Sequence, residues 1–293
     1  MTAASVAQAV LLSLTIAGLY AAVAAGLTLT VGVTRIINFA HGEFVMLGAF
    51  LTYWLHTRYG VSPWLGMAAS GIALGLFSML VYRAFLARVL KEDEHNQLLA
   101  TLGLSILLLN IAVILWSPDP RVMQAAPLLP SLQLGEVTIP GNNIVVALVG
   151  LLLFLAMLGI KNYTRYGTQM RFASDDPELA THAGINVDRV FELSFVIGGV
   201  AAGISGGLVA LILYVQPTVG IDLVIRAFAI IALGGLGNIP GALIGAAILA
   251  LAEGLTSTFV PQGGSWGFGV AFLILLIVLI VRPSGLFGKQ VHA

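Results

Sequence analysis

Long uncharged stretches constrain this chain more than any other feature of its sequence. The first 34 residues contain no Asp, Glu, Lys or Arg, and Arg35 is the first charged side chain. Several windows exceed the about 18 apolar residues that indicate a bilayer-spanning helix. Only 9% of all residues are charged, against about 25% in soluble domains. The sequence therefore predicts an all-α fold, a polytopic membrane bundle of about 8–10 transmembrane helices.

Charge balance and cysteine content exclude several other kinds of protein or site. The formal net charge is zero, which gives no indication of a nucleic-acid partner. The absence of cysteine excludes disulfides and thiolate metal sites. No Lys or Arg precedes Arg35, so the chain lacks the positively charged start of a removable signal peptide. We therefore expect the first apolar run to be retained as a helix.

Charged residues divide the chain into apolar windows that we interpret as membrane spans. The windows cover residues 7–31, 43–55, 64–82, 97–116, 143–160, 190–214, 223–236, 240–252 and 267–281. The pair 223–236 and 240–252 is short and could form either two full crossings or a re-entrant pair. If each counts as one crossing, a single transmembrane domain over residues 1–293 has nine crossings and one long polar loop, 161–189.

The distribution of Lys and Arg predicts the orientation, because basic residues are enriched in cytoplasmic loops. If the N-terminus is outside, only Arg58 and Arg121 fall outside and Arg226 lies within a span. The other ten basic residues then fall on the cytoplasmic side: Arg35, Arg83, Arg88, Lys91, Lys161, Arg165, Arg171, Arg189, Arg282 and Lys289. The sequence thus predicts an extracytoplasmic N-terminus, a cytoplasmic C-terminus and a cytoplasmic loop at 161–189.

Glycine spacing predicts close helix packing and one helix break. Gly199, Gly203 and Gly207 recur every four residues, which would place them on one helix face and let a neighbouring backbone approach. A second trio with the same spacing lies in and after "LGGLGNIPG", which contains Pro240. Because glycine is permissive and proline lacks the amide hydrogen, we expect the helix to break there.

A second predicted break, "NFAHGE", suggests an internal duplication. The chain before each break opens similarly, with "AGLYAAVAAGLTLT" from Ala17 and "AGISGGLVALILYV" from Ala202. Shared composition would also account for this likeness. A true duplication of about five spans would place the broken helices in corresponding positions near the bilayer midplane, where transporters bind their substrates.

Polar and glycine residues of the two breaks are the candidates for a substrate pathway. They are Asn38, His41 and Glu43 in the first break, and Gly234, Gly235, Gly237 and Asn238 in the second. Glu43 could instead pair with Arg35 or cap its helix, and Asn38 and His41 could satisfy backbone amides. Asp222 and Arg226, four residues apart, could pair on one helix face.

The loop 161–189 contains a short segment with the start and stop signals of a helix, "ASDDPELATHAGIN". Ser174 or Asp175 could cap this helix, Pro177 fits its first turn and Gly184 is placed to end it. Asp176 and Glu178 suit its N-terminal dipole. Leu179, Ala180 and Ala183 would form an apolar face. This face could lie against the membrane domain of the same chain or dock into another protein.

Three separated motifs resemble the permease subunits of ABC importers for branched-chain amino acids. They are "GLTLTVGVTRIINFAHGEFVMLGAF", "DDPELATHAGINVDRVFELSFVIGGVAAGISGG" and "RAFAIIALGGLGNIPGALIGA", in the family's order. The resemblance implies a subunit of the bacterial inner membrane that forms a heterodimer with a second permease, binds two cytoplasmic ATPases and receives cargo from an extracytoplasmic binding protein. Members of this family also handle urea, neutral amino acids, short amides and aromatic acids, so the substrate stays open.

The resemblance also implies a coupling helix that contacts the ATPases. Its residues would be Asp175, Glu178, Leu179, Ala180, Ala183, Gly184 and Asn186. The chain itself has no phosphate-binding loop, since "GLFGKQ" lacks the hydroxyl residue that would reach Mg²⁺. We therefore expect no cofactor on this chain, ATP and Mg²⁺ on partner chains, and no enzyme activity. The alternatives are a passive channel, which needs no docking helix, and an ion-coupled secondary transporter, which would need more intramembrane ion ligands.

Overall fold

The computed structural model describes residues 3–282 and 285–287, apart from the side chains of Gly264, Ser265 and Ala271. Its helices are α1 (Ala3–Thr34), α2 (His41–Tyr59), α3 (Pro63–Val81), α4 (Ala87–Val89), α5 (Glu94–Trp116), α6 (Gly141–Tyr163), α7 (Arg165–Asp175), α8 (Pro177–His182), α9 (Val187–Ile212), α10 (Val219–Gly234), α11 (Ile239–Phe259) and α12 (Gly263–Val281). A π-helical turn, Tyr82–Leu86, joins α3 to α4. Between α5 and α6, β1 (Leu132–Leu134) pairs antiparallel with β2 (Val137–Ile139).

Each of the nine predicted windows falls on one helix, which confirms the all-α polytopic bundle. Within the described part of the chain, six helices are long and apolar enough to cross a bilayer: Ala3–Thr34, Pro63–Val89, Glu94–Trp116, Gly141–Tyr163, Val187–Ile212 and Ile239–Phe259. Helix α10 has 16 residues, and so reaches about 24 Å, less than the about 30 Å of a hydrocarbon core. The short windows therefore form unequal elements, with α10 short and α11 of full length.

The helices form two units that repeat the same arrangement in opposite directions. In the first unit, six residues (35–40) separate α1 from α2; in the second, six residues (213–218) separate α9 from α10. Helix α3 of the first unit packs on α2 and α9. Its counterpart in the second unit, α11, packs in the same way on α10 and α1. Along the contact between α1 and α9, Gly26 lies at Ala201 whereas Thr30 lies at Gly198, so these helices are antiparallel. The arrangement is an inverted repeat.

This repeat corrects the predicted correspondence between the two sequence breaks. The counterpart of 35–40 is 213–218, whereas 235–238 is the turn between α10 and α11 and matches the turn between α2 and α3. Gly237 approaches Gly32 near the end of α1, so this turn lies far from the middle of the bundle. The prediction of two equivalent breaks at the midplane was wrong because the glycine-rich stretch "GGLGNIPG" forms a turn near the end of the bundle, while the second unit re-enters through "LYVQPT", which contains Pro217 and no glycine.

Close backbone contacts between the units explain the glycine spacing. The trio Gly199, Gly203 and Gly207 faces α3, where side chains at these positions would collide with Ser78, Ser70 and Met67 respectively. Between membrane helices such small residues allow the close approach that van der Waals packing requires. The first trio therefore serves helix packing, as its periodicity predicts.

The intramembrane charges pair differently from the prediction. Arg226 Nε donates to both carboxylate oxygens of Glu253, at 3.0 and 3.2 Å, and Tyr20 Oη donates to Glu253 Oε2 at 2.5 Å. Arg226 also donates from a terminal nitrogen to the backbone oxygen of Asp222, not to its carboxylate. The guanidinium lies 3.9 Å from the ring centroid of Phe268. The positive charge of Arg226 on α10 is thus neutralised by Glu253 of α11, and not by the Asp222 carboxylate one turn away on α10.

Basic residues collect at one end of the bundle, which we call the basic end. Lys161 Nζ donates to Gly237 O, and Leu286 N donates to Leu233 O, so the ends of α6, α10 and α12 meet there. Nine of the ten residues predicted on the cytoplasmic side lie near the helix ends on this side or in the segments that connect them. The tenth, Lys289, lies outside the described residues. At the opposite end, the guanidinium carbons of Arg58 and Arg121 lie 5.1 and 5.9 Å from the Trp54 ring.

Candidate functional site

The first break begins at the C-terminus of α1, where Arg35 adopts a left-handed backbone conformation with φ 58°. Its amide donates to Val31 O at 2.8 Å, which completes a helix C-cap of the αL type. Glycine is the usual residue at such a position, because a Cβ there costs roughly 1–2 kcal/mol. An arginine retained at a strained position directs attention to its side chain.

Segment 35–40 then returns toward the middle of the bundle. His41, the first residue of α2, forms a 3.2 Å hydrogen bond between Nε2 and the backbone oxygen of Val23. Val23 precedes the end of α1 at Thr34 by 11 residues, which corresponds to about 16 Å along the helix. The sequence prediction of a break deep in the bundle therefore holds for "NFAHGE".

Asn38 satisfies a backbone amide of the break, as one of the two sequence interpretations expects, whereas His41 does not. Both side chains are buried. Asn38 Oδ1 accepts from the amide of Ala40 at 3.1 Å, whereas the His41 ring contacts Val23 O inside the continuous helix α1 and so ties the break to that helix. A partner such as Asn38 is needed because non-helical backbone at membrane depth is otherwise unsatisfied.

Glu43 is the most unusual residue of this break. It is fully buried, with 0% exposure, in the first turn of α2. One carboxylate oxygen accepts from Ser105 Oγ at 3.1 Å. The other has no hydrogen-bond partner within the described residues, and it lies so close to Gly220 that a Cβ there would be 2.7 Å away. The predicted ion pair with Arg35 is not formed, because Arg35 ends α1 on the exposed surface whereas Glu43 is buried.

Helix α5 attaches to the bundle through this same break. Its buried residues, Thr101, Ser105, Leu108 and Ala112, form one narrow stripe. The hydroxyl of Thr101 donates to Ile37 O at 3.0 Å, and that of Ser105 donates to Glu43. The sequence interpretation did not include these two hydroxyl residues. The signal that could have found them is their spacing of four residues on an otherwise apolar helix.

Replacing Glu43 tests the importance of this connection. Glu43→Ala removes the acceptor of the Ser105 hydroxyl and leaves a cavity where α2, α5 and α10 meet. We expect normal membrane insertion but uptake reduced by roughly tenfold or more, corresponding to at least about 1.4 kcal/mol. Glu43→Gln keeps the acceptor oxygen and should retain more activity. Uptake and protein abundance are measured in the same cells, and normal uptake by Glu43→Ala would limit Glu43 to a structural role.

The second break is a compact turn at the basic end. Gly235 and Gly237 have φ angles of 96° and 73°, a backbone conformation that residues with a side chain rarely adopt. Asn238 caps α11, because its side-chain Oδ1 accepts from Gly241 N at 3.0 Å. Its side-chain Nδ2 donates to Phe287 O at 2.9 Å. Gly234 lies against Gly241 backbone. These contacts explain why glycine and asparagine occur here without invoking a ligand.

The loop between α6 and α9 forms the helix that its capping signals predict, with one change. Asp176 is the N-cap of α8 and accepts from Leu179 N at 2.9 Å. Ser174 and Asp175, the predicted caps, belong to the preceding helix α7. Gly184 has φ 80° and ends the segment, and Asn186 caps α9 by accepting from Arg189 N. Asp176 takes the capping position because Pro177 must occupy the first turn.

The predicted apolar face of α8 is divided in two. Ala180 is completely buried and attaches α8 to the bundle, whereas Leu179 is 54% exposed. Ala183, one turn after Leu179, is also exposed. The two sequence interpretations therefore apply to different residues, because adjacent residues on a helix point about 100° apart. Ala180 contacts the same chain, and Leu179 is left without cover.

A cavity of about 890 Å³ lies at the basic end and joins the two predicted sites. Gly237 of the second break and Asp175 of the loop both line it, together with Arg35. The other predicted pathway residues do not line it: Asn38, His41, Glu43, Gly234, Gly235 and Asn238. The N-terminus of α5 also contributes Glu94 and His95, which the sequence interpretation assigned to no site. The structure therefore places Gly237 beside the loop 161–189 rather than beside the buried residues of the first break.

The sequence profile of one protein family matches residues 9–279, and its description is branched-chain amino acid transport system / permease component. The high-affinity branched-chain amino acid transport system permease protein LivH of Escherichia coli (strain K12) is 31% identical over 295 residues, covering 94% of this chain and 93% of its own. The corresponding protein BraD of Pseudomonas aeruginosa is 31% identical over 293 residues and covers 94% of each chain.

A solved structure shows the same fold at low sequence identity. It is PsaBC from Streptococcus pneumoniae in complex with Fab, with a TM-score of 0.50 and 14% identity over 95% of this chain and 92% of that chain. At this identity the likeness concerns the helical arrangement alone. Together with the match over residues 9–279, the 31% identity to the two relatives shows that this chain belongs to the family of permease components of branched-chain amino acid transport systems.

Proposed function

We propose that this protein is the permease subunit of an ABC importer that moves branched-chain amino acids, other small amino acids, or related polar solutes such as urea and amides into the cytoplasm. The observation that carries the proposal is helix α8. It is capped at both ends, attached to the bundle by buried Ala180 and left with Leu179 exposed beside the basic end. Exposed Leu179 and Ala183 give this short helix a small apolar surface that docking to another protein would bury.

The docking partners are two cytoplasmic ATPase subunits. They bind ATP and Mg²⁺ and carry out the hydrolysis, and this chain contributes no catalytic residue. The coupling surface consists of Asp175, Glu178, Leu179, Ala183, Gly184 and Asn186, with Ala180 as its internal anchor. A second, related permease forms a heterodimer with this chain, and an extracytoplasmic binding protein delivers the cargo.

The basic end faces the cytoplasm of a bacterial cell and the N-terminus lies on the extracytoplasmic side of the inner membrane. The grouping of nine basic residues at one end of the bundle supports this orientation through the positive-inside rule. Under this orientation, the mixed-charge cavity and α8 both face the ATPases.

The substrate pathway runs past the first break, where α2 and α10 meet. Support comes from the buried polar residues Asn38, His41 and Glu43 and from the unpaired carboxylate oxygen of Glu43. The turn with Gly234, Gly235, Gly237 and Asn238 belongs to the cytoplasmic end of the same route. A passive channel or an ion-coupled carrier would leave α8 without a partner, and the family membership does not favour either.

Reconstitution tests the proposal. The chain is co-expressed with its companion permease, both ATPases and the binding protein, and the purified complex is placed in proteoliposomes. We expect leucine uptake that requires ATP and the binding protein and is abolished by vanadate, whereas the chain alone hydrolyses no ATP. ATP-independent uptake by the chain alone would favour a channel or carrier and overturn the proposal.

A further inference from the structure

The cavity at the basic end has a lining that contains both apolar and charged residues. Val31, Val33, Ile36 and Met170 are buried apolar residues of this lining. Charged side chains of both signs line it as well: Arg35, Lys161, Arg171, Glu94 and Asp175. A ligand with an aliphatic part and two opposite charges would match both features.

Three of these charges are free to bind a ligand. The side chains of Arg35, Glu94 and Asp175 are exposed, and none forms an ion pair or a hydrogen bond with another described residue. By contrast, the side chain of Lys161 donates to the backbone oxygen of Gly237, and the side chain of Arg171 donates to the backbone oxygen of Lys161. A hydrogen bond to a neutral carbonyl leaves the charge of Lys161 and Arg171 in place, so the lining presents cationic groups together with two carboxylates. A zwitterion can pair with both signs, whereas an anion would leave the carboxylates unpaired.

Three described residues other than glycine have a positive φ, namely Arg35, Ser117 and Gln262, and of these three Arg35 alone lines the cavity. Its φ of 58° is at a helix C-cap, where glycine would be unstrained. An arginine at this position contributes nothing to the backbone conformation that glycine would not supply. Strain of this kind persists at functional positions more often than elsewhere.

We propose that this cavity is a cytoplasmic binding site for a free aliphatic amino acid, with Arg35 binding the carboxylate and Glu94 and Asp175 binding the ammonium group. The inference rests on the proposed function for its choice of side and substrate. The volume of about 890 Å³ leaves space for water that bridges the ligand to the wall. The site is separate from the buried residues of the first break.

Occupancy of the site would bear on the transport cycle, because its lining comes from elements that lead directly into the coupling surface. Asp175 is the last residue of α7, one residue before the cap of α8. Glu94 begins α5, which is otherwise held by hydroxyl contacts to the first break. An amino acid that bridges Arg35 to these carboxylates would therefore hold α1, α5 and α7 together and restrain the loop that carries α8.

The test measures binding of L-leucine to the full chain in phosphatidylcholine nanodiscs, with its companion permease and without the binding protein. We expect saturable binding in the range of about 0.1–1 mM. 4-Methylpentanoate is leucine without the ammonium group and isoamylamine is leucine without the carboxylate, so each should bind at least about tenfold more weakly than leucine. Equal binding of all three compounds would overturn the assignment of the two charges.

Arg35→Gly separates the role of the side chain from that of the backbone. It should lower leucine affinity by about tenfold or more, whereas the Tm should stay the same or rise because the strain is relieved. Arg58→Gln, at the opposite end, is the matched control and should bind leucine normally. Unchanged leucine binding by Arg35→Gly would refute the proposal.

Two further results would overturn the amino-acid site. Phosphatidylglycerol nanodiscs that raise the Tm only when Arg35 is present, with no leucine binding, would assign the cavity to a lipid headgroup instead. Leucine uptake by the reconstituted wild-type importer without leucine binding in nanodiscs would overturn this inference and leave the proposed function standing. Failure of ATP-driven uptake would instead reject the proposed function.

Discussion

Leu179→Asp is expected to abolish both ATPase retention and uptake while leaving the permease inserted in the membrane. Leu179 is 54% exposed on α8, so the substitution does not disturb the packing of the chain itself. In the assembled importer, the new carboxylate would be buried without a partner, at a cost of roughly several kcal/mol. Affinity for the ATPases should fall by more than about a hundredfold.

The measurement is co-purification of the ATPases with tagged permease, together with uptake in cells. Thr181→Asp is the matched control, because it adds the same charge to an exposed position of the same helix, about 200° from Leu179. It should retain the ATPases better. Ala180→Asp should behave differently from both, since Ala180 is fully buried and a charge there should prevent the loop from folding. Wild-type retention of both ATPases by Leu179→Asp would show that docking occurs elsewhere.

Gly42→Ala is expected to lower stability strongly and eliminate transport. Gly42 lies where the N-termini of α2 and α10 meet, and an added Cβ would collide with the backbone oxygen of Gly220 and lie 2.8 Å from the Val224 Cβ. Backbone cannot rotate away as a flexible side chain can, so the helices must separate. Overpacking of this kind costs roughly 1–3 kcal/mol or more, and the separation would also displace Glu43 from Gly220.

Gly103→Ala is the matched control for this substitution. Gly103 lies within α5 and has open space around it. Alanine there should be neutral or stabilising by up to about 1 kcal/mol, because it is the better helix former. Thermal unfolding of both purified variants provides the comparison, and equal Tm values would mean that the contact between α2 and α10 adapts without loss.

Element type and position were determined by local patterns. The apolar windows predicted nine helices and the structure has a helix at each one, because an α-helix satisfies all of its backbone hydrogen bonds within a single apolar segment of the bilayer. Capping signals likewise predicted α8, since Pro177 and Gly184 act on neighbouring residues alone. The uneven distribution of basic residues along the sequence likewise corresponds to one end of the bundle, because the helix boundaries beside each residue decide at which end it lies.

The pairing of elements was decided only by the tertiary structure. Sequence similarity matched the break before His41 with the turn around Gly237, whereas the fold pairs it with the extended segment 213–218. That segment contains Pro217 but no glycine, so its local signal does not resemble the glycine-rich stretch around Gly237. Its role depends on α9 running antiparallel to α1, which is a property of packing between distant parts of the chain.

Individual side-chain partners also depended on packing. The sequence offered Arg35 for Glu43 and Asp222 for Arg226, because both pairs are near in the chain. The structure instead joins Glu43 to Ser105 and Arg226 to Glu253, each from a distant helix. Likewise, Leu179 and Ala180 are adjacent in the sequence, yet only the position of α8 against the bundle decides that Ala180 is covered and Leu179 is exposed. Local sequence thus determined where the helices begin and end, and burial between helices decided which residues face one another.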